Sequence, residues 1–358
     1  MIKIIFINQE QFGYHSDTYY YCKYLKRDYE VVYLCWDHGL PRIVLEGVTV
    51  FYVNRKGIFL LRTVRFLRYA LRQTKNKRAI IFIKYFKGLS PALRLLRWKS
   101  CFVLDIRTGS VHNNPTIRWF HDARLKFEAR FFNHVTVGSK SLAQKLGRGH
   151  TAHILPVGAE VISSVEKNFD SIHLLYVGTF FNRNINETIQ GFWEFYQEFK
   201  DQIPMSYTII GTGPHKEEKN LQKLVRKYGL EKMVNVKGLI PHLQLEHWFN
   251  TANIGVSYVP MTDYYDCQPV TKSFEYLLSG MPVIATRTSE NKKVITPRNG
   301  VLIDDTSEDF YAGLKIIYEK RYSFDSATIR ESARKYTWEK IVRNNLWSYL
   351  EGIKKSCL

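Results

Sequence analysis

Short apolar runs rich in β-branched and aromatic residues alternate along this chain with longer stretches whose apolar positions recur every three or four residues. In the first half, IKIIFIN, EVVYLCW, VTVFYV, AIIFIKYF, CFVLDIR and HVTVGS read as strands covered on both faces. Between them, SDTYYYCKYLKRDY, PALRLLRW, PTIRWFHDARLKFEARFF and SKSLAQKLG read as helices. The second half repeats the alternation with the runs SIHLLYVG, SYTIIG, MVNVKG, ANIGVSYV, MPVIAT and NGVLID, and with helices near 184–199, 215–228, 243–249 and 271–279. After Asp309 the chain reads as helical to its end.

Strand alternating with helix predicts α/β architecture in two doubly wound, Rossmann-like domains. The expected boundaries are 1–160 and 161–340, joined near LPVGAEVISSVEKNFD, with a terminal helix over 341–358 packing back toward the first domain. A length of 358 residues, 45% of them hydrophobic, exceeds what one core usually holds and agrees with two domains. No apolar run is long enough to span a bilayer, and MIKIIFINQEQFG reads as a buried strand, not a signal peptide. Cys22, Cys35, Cys101, Cys267 and Cys357 are odd in number and lack metal or redox spacing, which suits a reducing cytoplasm.

Charge separates the two halves. Residues 1–160 hold 27 Lys and Arg against 10 Asp and Glu, a net +17, and the remainder holds 25 against 23, a net +2. In IFLLRTVRFLRYALRQTKNKR, Arg62, Arg65, Arg68 and Arg72 recur at helical steps among Phe59, Leu60, Leu61, Phe66, Leu67 and Leu71. Such a helix fits an anionic membrane surface, which places the chain in the cytoplasm with peripheral attachment to the inner face of the membrane. The same stripe also fits the core face of a packed helix with a solvated basic side. No recognisable nucleic-acid module accompanies the basic residues, so nucleic acid is not an expected partner.

Open α/β sheets bind ligands beyond the carboxyl ends of their strands, which turns attention to the loops there. QFGYHS carries Gly13, where backbone can approach a phosphate or sugar closely. DIRTGSVH brings Asp105, Arg107 and His112 to the end of a strand, as groups to orient an acceptor hydroxyl, with Asp105 and His112 also candidates for the chemistry. LLYVGTFFNRN places Gly178 at a strand end and Arg183 before a helix, where a guanidinium clamps a diphosphate. GTGP offers Gly211 and Gly213, without the lysine of a P-loop or the third glycine of a dinucleotide fingerprint. GLIP offers the backbone of Leu239 and Ile240. In PVTKSFEYLLSGMPVIAT a helix starts near Thr271, with its free N–H groups, Val270, Lys272 and Glu275 all close to its start. The Lys272–Glu275 pair also reads as an ordinary surface ion pair.

Taken in order, LLYVGTFFNRNINETIQGF, YTIIGTGPHKEE, MVNVKGLIPHLQLEHWFNTANIGVSYVP, PVTKSFEYLLSGMPVIAT, NGVLIDD and KYTWEKIVRNNLWSYLEGI resemble the carboxyl-terminal half of the family 4, group 1 glycosyltransferases. The resemblance runs from about Leu174 to the end and is weak before Phe131. It implies a GT-B fold, two Rossmann-like domains facing a central cleft, and retaining transfer from a nucleotide sugar. By the same resemblance Glu275 binds the donor ribose, and Arg183 and Lys272 neutralise the departing diphosphate. Val270 and Thr271 offer phosphate-binding backbone, Leu239 and Ile240 base-contacting backbone, and Gly13 the loop meeting the diphosphate from the first domain.

Three positions depart from the family pattern. Cys267 stands where the first of two glutamates belongs, with Asp266 beside it as a substitute; Thr179 replaces an arginine; and the glycine-rich loop is reduced to Gly13. DxD is absent, so metal-independent transfer without a cofactor is expected. The implied acceptor is a glycan or lipid-linked saccharide in cell-surface polysaccharide synthesis. A sugar-nucleotide epimerase of the same fold and a non-catalytic nucleotide-sugar-binding protein at the membrane remain as alternatives.

Overall fold

The computed structural model describes residues 1–75, 78–97 and 99–357, which form two compact units, Met1–Val157 with Trp338–Leu358 and Gly158–Thr337. Asn76, Lys77 and Trp98, at the ends of two predicted helices, and Leu358 lie outside the described residues.

The first unit is built on seven strands: β1 (Ile2–Ile7), β2 (Tyr29–Asp37), β3 (Val48–Asn54), β4 (Ala79–Lys84), β5 (Cys101–Ile106), β6 (His134–Val137) and β7 (His153–Ile154). They run parallel in the order β3-β2-β1-β4-β5-β6-β7. The connecting helices are α1 (Ser16–Leu25), α2 (Phe59–Gln73), α3 (Leu89–Leu96), α4 (Pro115–Ala129) and α5 (Lys140–Lys145). Near-continuous burial of IIFI in β1, IIFI in β4 and VLDI in β5 explains why these segments read as unbroken apolar runs. The short strand β7 escaped the sequence reading because two residues carry no periodicity.

The second unit has six strands, β8 (Ile172–Thr179), β9 (Met205–Thr212), β10 (Val234–Lys237), β11 (Ile254–Ser257), β12 (Val283–Thr286) and β13 (Gly300–Ile303). These are parallel in the order β10-β9-β8-β11-β12-β13, so the direction of winding reverses between β8 and β11. Its helices are α6 (Ile185–Phe199), α7 (Glu217–Lys227), α8 (Glu246–Thr251), α9 (Asp263–Asp266), α10 (Thr271–Leu278), α11 (Ser307–Lys320) and α12 (Ser326–Ala333). Both sheets with their flanking helices have the doubly wound α/β arrangement that the alternation predicts.

The end of the chain returns to the first unit through α13 (Trp338–Ile341), a π-helical turn at Val342–Trp347 and α14 (Ser348–Cys357). Aromatic contacts and an ion pair fix it there. Trp338 stacks on Tyr20 with ring centres 5.5 Å apart, Tyr349 stacks on His153 at 4.1 Å, and Arg343 pairs with Asp28 at 2.6 Å.

Candidate functional site

In the second unit, four loops meet at the carboxyl edge of the sheet around the β8–β11 reversal, the place where open α/β sheets form a crevice. Arg183 follows β8, and its guanidinium lies 4.2 Å from the ring centre of Tyr265, a buried residue on α9 beyond β11. This cation–π contact ties the two sides of the reversal together. Arg183 is flanked by Asn182 and Asn184, both left-handed (φ 55° and 50°). Lys216 in the next loop is the third non-glycine left-handed residue among the described ones. Such conformations cost energy, and here they gather in the two loops at this edge. Between the starts of α6 and α7 a pocket of about 510 Å³ is lined by Asn182, Arg183, His215, Glu217 and Asn220, among others.

Helix α10 begins at the same edge. Val270 is its N-cap and supplies no side-chain cap; the Ser273 amide turns back to the Val270 carbonyl at 3.1 Å, and the amides of Thr271 and Lys272 before it are open to a ligand or solvent. Helices α6 and α7 also start without a side-chain cap, whereas α11 and α12, outside this group of loops, are capped by Thr306 and Asp325. Uncapped N-termini carry partial positive charge and favour anions.

Glu275 is buried, and both of its oxygens are engaged. His242 Nε2 lies 3.1 Å from Oε1, and Lys272 Nζ donates to Oε2. Burial alone would raise this carboxyl, but the charge of Lys272 and the hydrogen bond from His242 outweigh it and hold the group at about 2. It is therefore a fixed anion at neutral pH. The ion pair is part of the buried site, with the Glu275 side chain only 4% exposed, and this excludes the ordinary surface pair.

The other positions expected to meet a donor divide. Gly178 and Gly211 face each other in register across β8 and β9, and a Cβ on Gly211 would lie 1.8 Å from the Gly178 carbonyl oxygen. Close approach of the strands accounts for Gly211 being glycine. Gly213 opens the turn in which the Glu217 carboxylate accepts from the His215 amide at 2.9 Å. Leu239 is strongly exposed and Ile240 half-buried, leaving this backbone at the surface just before His242. Asp266 does not stand free as a substitute carboxylate beside the buried Cys267. Its two oxygens accept from the Ser289 amide at 2.7 Å and the Ser289 hydroxyl at 2.6 Å, so it braces the loop after β12.

The first unit requires a correction at its acceptor candidates. Asp105 is wholly buried, accepting from Thr136 Oγ1 at 2.7 Å, because β5 stays enclosed on both faces to its last residue. Arg107 turns inward as well: its Nε lies 2.7 Å from the Asp17 carboxylate, and its Nη1 donates to the Leu155 carbonyl at 2.8 Å. These two side chains hold each other and the neighbouring elements and do not face a surface ligand. His112 is exposed, and its Nδ1 accepts from the Asn114 amide at 3.0 Å. Gly13 is left-handed (φ 88°), and a Cβ there would lie 2.3 Å from the Ile43 side chain, so the 38–46 loop covers the approach the sequence had left open.

Tyr265 and His242 escaped the sequence reading. The signal for His242 was its place directly after GLIP, and for Tyr265 an aromatic pair, Tyr264–Tyr265, in a loop beyond a strand.

Residues 171–320 match a family described as glycosyl transferases group 1. Among solved structures, sucrose-phosphate synthase from Thermosynechococcus elongatus is similar at a TM-score of 0.76 and 16% identity, over 98% of this chain and 99% of that one. HepE of Anabaena in complex with UDP-glucose is similar at 0.73 and 11%, over 98% and 100%. The apo form of the lipopolysaccharide outer core galactosyltransferase WaaB is similar at 0.68 and 14%, over 97% and 100%. At these identities the likeness shows the fold, two Rossmann-like domains of the GT-B type. No curated protein matches the chain.

Proposed function

We propose, on the premise that the chain belongs to the group 1 glycosyltransferases through residues 171–320, that it moves a sugar from a UDP- or GDP-linked donor with retention of anomeric configuration. The acceptor in this proposal is a hydroxyl of a glycan or lipid-linked saccharide, assembled into cell-surface polysaccharide at an anionic membrane. One observation carries the reading: Arg183, locked on Tyr265, and Lys272, locked on Glu275, belong to the loops around one strand-order reversal, beside an uncapped helix start.

Glycosyl transfer is limited by charge that builds on the leaving diphosphate, and preorganised cations and amides stabilise that charge most effectively. In the proposed step the acceptor oxygen bonds to the anomeric carbon as the bond from that carbon to the diphosphate oxygen breaks. The acceptor proton passes to a phosphate oxygen on the same face. Arg183, Lys272 and the first amides of α10 receive the departing charge, and Glu275 accepts from the ribose hydroxyls. No metal ion is assigned a part, so a chelator should leave turnover unchanged.

A thermal-shift screen of nucleotides and sugar nucleotides tests the donor site, beginning with UDP-glucose because HepE is solved with it. A matched donor should raise the melting temperature. Product analysis then separates the classes: donor converted without acceptor would mean an epimerase, and donor bound without turnover on any acceptor would mean a binding protein.

A further inference from the structure

Of the large apolar side chains that lie exposed in the first unit, one group sits at a single edge of it, apart from Met1, Leu95, Leu96 and Phe127 at other element ends. Strands β1 to β7 are parallel, so the loops that follow them and the starts of the next helices share the carboxyl edge of the sheet. At the start of α2, Phe59, Leu60 and Leu61 are 68%, 67% and 60% exposed. At the start of α4, Trp119 and Phe120 are 64% and 61% exposed, and Ile117 is exposed beside them. A surface helix ordinarily buries one apolar stripe. From Pro115 to His121, α4 buries no side chain, Arg118 alone being half-buried, so Ile117, Trp119 and Phe120 have no core of their own to cover. Tyr14 and Leu40, in the loops after β1 and β2, add to the same edge.

The charge around this rim has one sign. Between residues 51 and 130 the chain holds 19 Lys and Arg and three acidic residues. All three carboxylates are turned to partners within the unit: Asp105 is buried with its Oδ1 on Thr136, Asp122 pairs with Lys145 at 3.2 Å, and Glu128 takes Arg124 and the Gly88 amide. On the outer side of α2, Arg68 and Arg72 stay exposed. Clustered exposed apolar groups mark an interaction surface, and these two clusters stand among aromatics and exposed arginines. Nucleic acid would meet the charge but leave Phe59–Leu61 and Trp119–Phe120 in water. A bilayer with anionic headgroups meets both, with aromatic side chains at the headgroup level and arginines among the phosphates.

We propose that the carboxyl edge of the first unit docks on an anionic lipid surface by inserting two separate wedges, the starts of α2 and α4, into the interface. The proposal rests on the reading of a membrane-borne acceptor, and it adds that docking is partly hydrophobic and depends on α4, which carries no sequence signal for membranes.

The test is flotation of the full chain with vesicles of phosphatidylcholine, with and without phosphatidylglycerol, at low salt and at about 0.5 M salt, where exposed charges are strongly screened. The native chain should float with anionic vesicles at low salt and retain part of that binding at high salt. Trp119→Ser with Phe120→Ser should lose about tenfold or more of the salt-resistant part, the scale of removing two buried aromatic contacts. Arg68→Gln with Arg72→Gln should lose binding chiefly at low salt. Both pairs are surface positions, and an unchanged melting temperature with an unchanged donor-induced shift shows that the fold is kept. The proposal is overturned if the native chain does not float with anionic vesicles at low salt, or if the serine variant floats like the native chain at high salt. Normal vesicle binding without donor turnover would sink the transferase reading and leave this one standing; normal turnover without vesicle binding would do the reverse.

Discussion

Lys272→Met is expected to leave a buried carboxylate short of its main partner. A carboxyl held at about 2, against an ordinary value of 4.5, has surroundings that favour its charged form by about 3 kcal/mol. Since burial works in the opposite direction, the combined attraction of Lys272 and His242 exceeds that figure, and the charge of Lys272 is its largest single cause. Removing one member of a buried pair costs about 3–5 kcal/mol. In a unit of this size each kcal/mol moves the melting temperature by about 2–4 °C, so a fall of roughly 6–20 °C should appear by calorimetry. Glu275→Gln removes the charge that needs the lysine, so the double variant Lys272→Met with Glu275→Gln should regain most of the lost stability while failing to regain the donor-induced thermal shift. The four proteins form a double-mutant cycle whose coupling is read directly. The pH dependence supplies a second readout with a definite sign. A carboxyl depressed in the folded state contributes stability that is fully present above about pH 4.5 and is lost as the pH falls toward 2. Lys272→Met should flatten that loss. If the single variant melts within about 2 °C of the native chain, below the smallest fall worked out above, or if Glu275→Gln restores nothing, Lys272 and Glu275 are not the coupled pair described here.

Arg183→Ala should lower kcat by about a hundred- to thousandfold with a smaller change in KM, the scale of losing one preorganised donor to developing charge; native-like turnover would remove Arg183 from the reaction. Tyr265→Phe keeps the ring under the guanidinium and should keep the rate, whereas Tyr265→Leu should lower kcat while leaving the melting temperature nearly as it is in the phenylalanine variant. Gly211→Ala places a methyl group 1.8 Å from the Gly178 carbonyl and should destabilise the second unit by more than about 2 kcal/mol in urea unfolding. Asp17→Asn strips Arg107 of its closest charge partner and should cost about 3 kcal/mol, read as faster hydrogen exchange across β1, β4 and β5.

The strand-helix alternation made the fold legible because the central strands are buried on both faces and therefore appear as unbroken apolar runs. Elements held by other means were not legible in this way. The two-residue strand β7 has no period to detect. The stretch read as a helix near 243–249 instead splits into a 3-10 turn at His242–Gln244 and the helix α8, and the first of these brings His242 onto Glu275. On the donor side, Arg183, Lys272 and Glu275 could be picked out because each is a charged residue next to a helix start that follows a strand, a local relation. Tyr265 could not, since its meeting with Arg183 is set by the order of β8 and β11 in the sheet. Asp105 and Arg107 misled for the converse reason. Polar residues at the end of an apolar run look like a surfacing strand, yet Asp17 from α1 and Thr136 from β6 lie alongside, pairing with Arg107 and Asp105 and letting β5 stay buried to its end.

The two strand-order reversals in this chain are chemically opposite, and the contrast bears on where a charged ligand can bind. At the reversal in the first unit, between β1 and β4, the space is occupied by the protein's own charges. Arg107 lies between Asp17 and Asp105, burial lowers Lys84 from its ordinary value, and burial brings His15 down to about 4, so the histidine is neutral there. Ile43 closes over Gly13 on the same side. A diphosphate arriving at this reversal would have to displace an internal ion pair and leave a buried charge uncompensated, at a cost of several kcal/mol. At the reversal in the second unit, Arg183 is spent only on an aromatic face, which satisfies its stacking and leaves its N–H donors for a phosphate. The amides of α10 are uncapped, and Lys272 is held in place by a carboxylate on its own helix. The charge that a diphosphate needs is thus assembled in the second unit in advance, while the net charge of +17 in the first half of the sequence is left to the surface of the first unit. That separation is why the strongly basic half of the chain is not the half proposed to hold the donor.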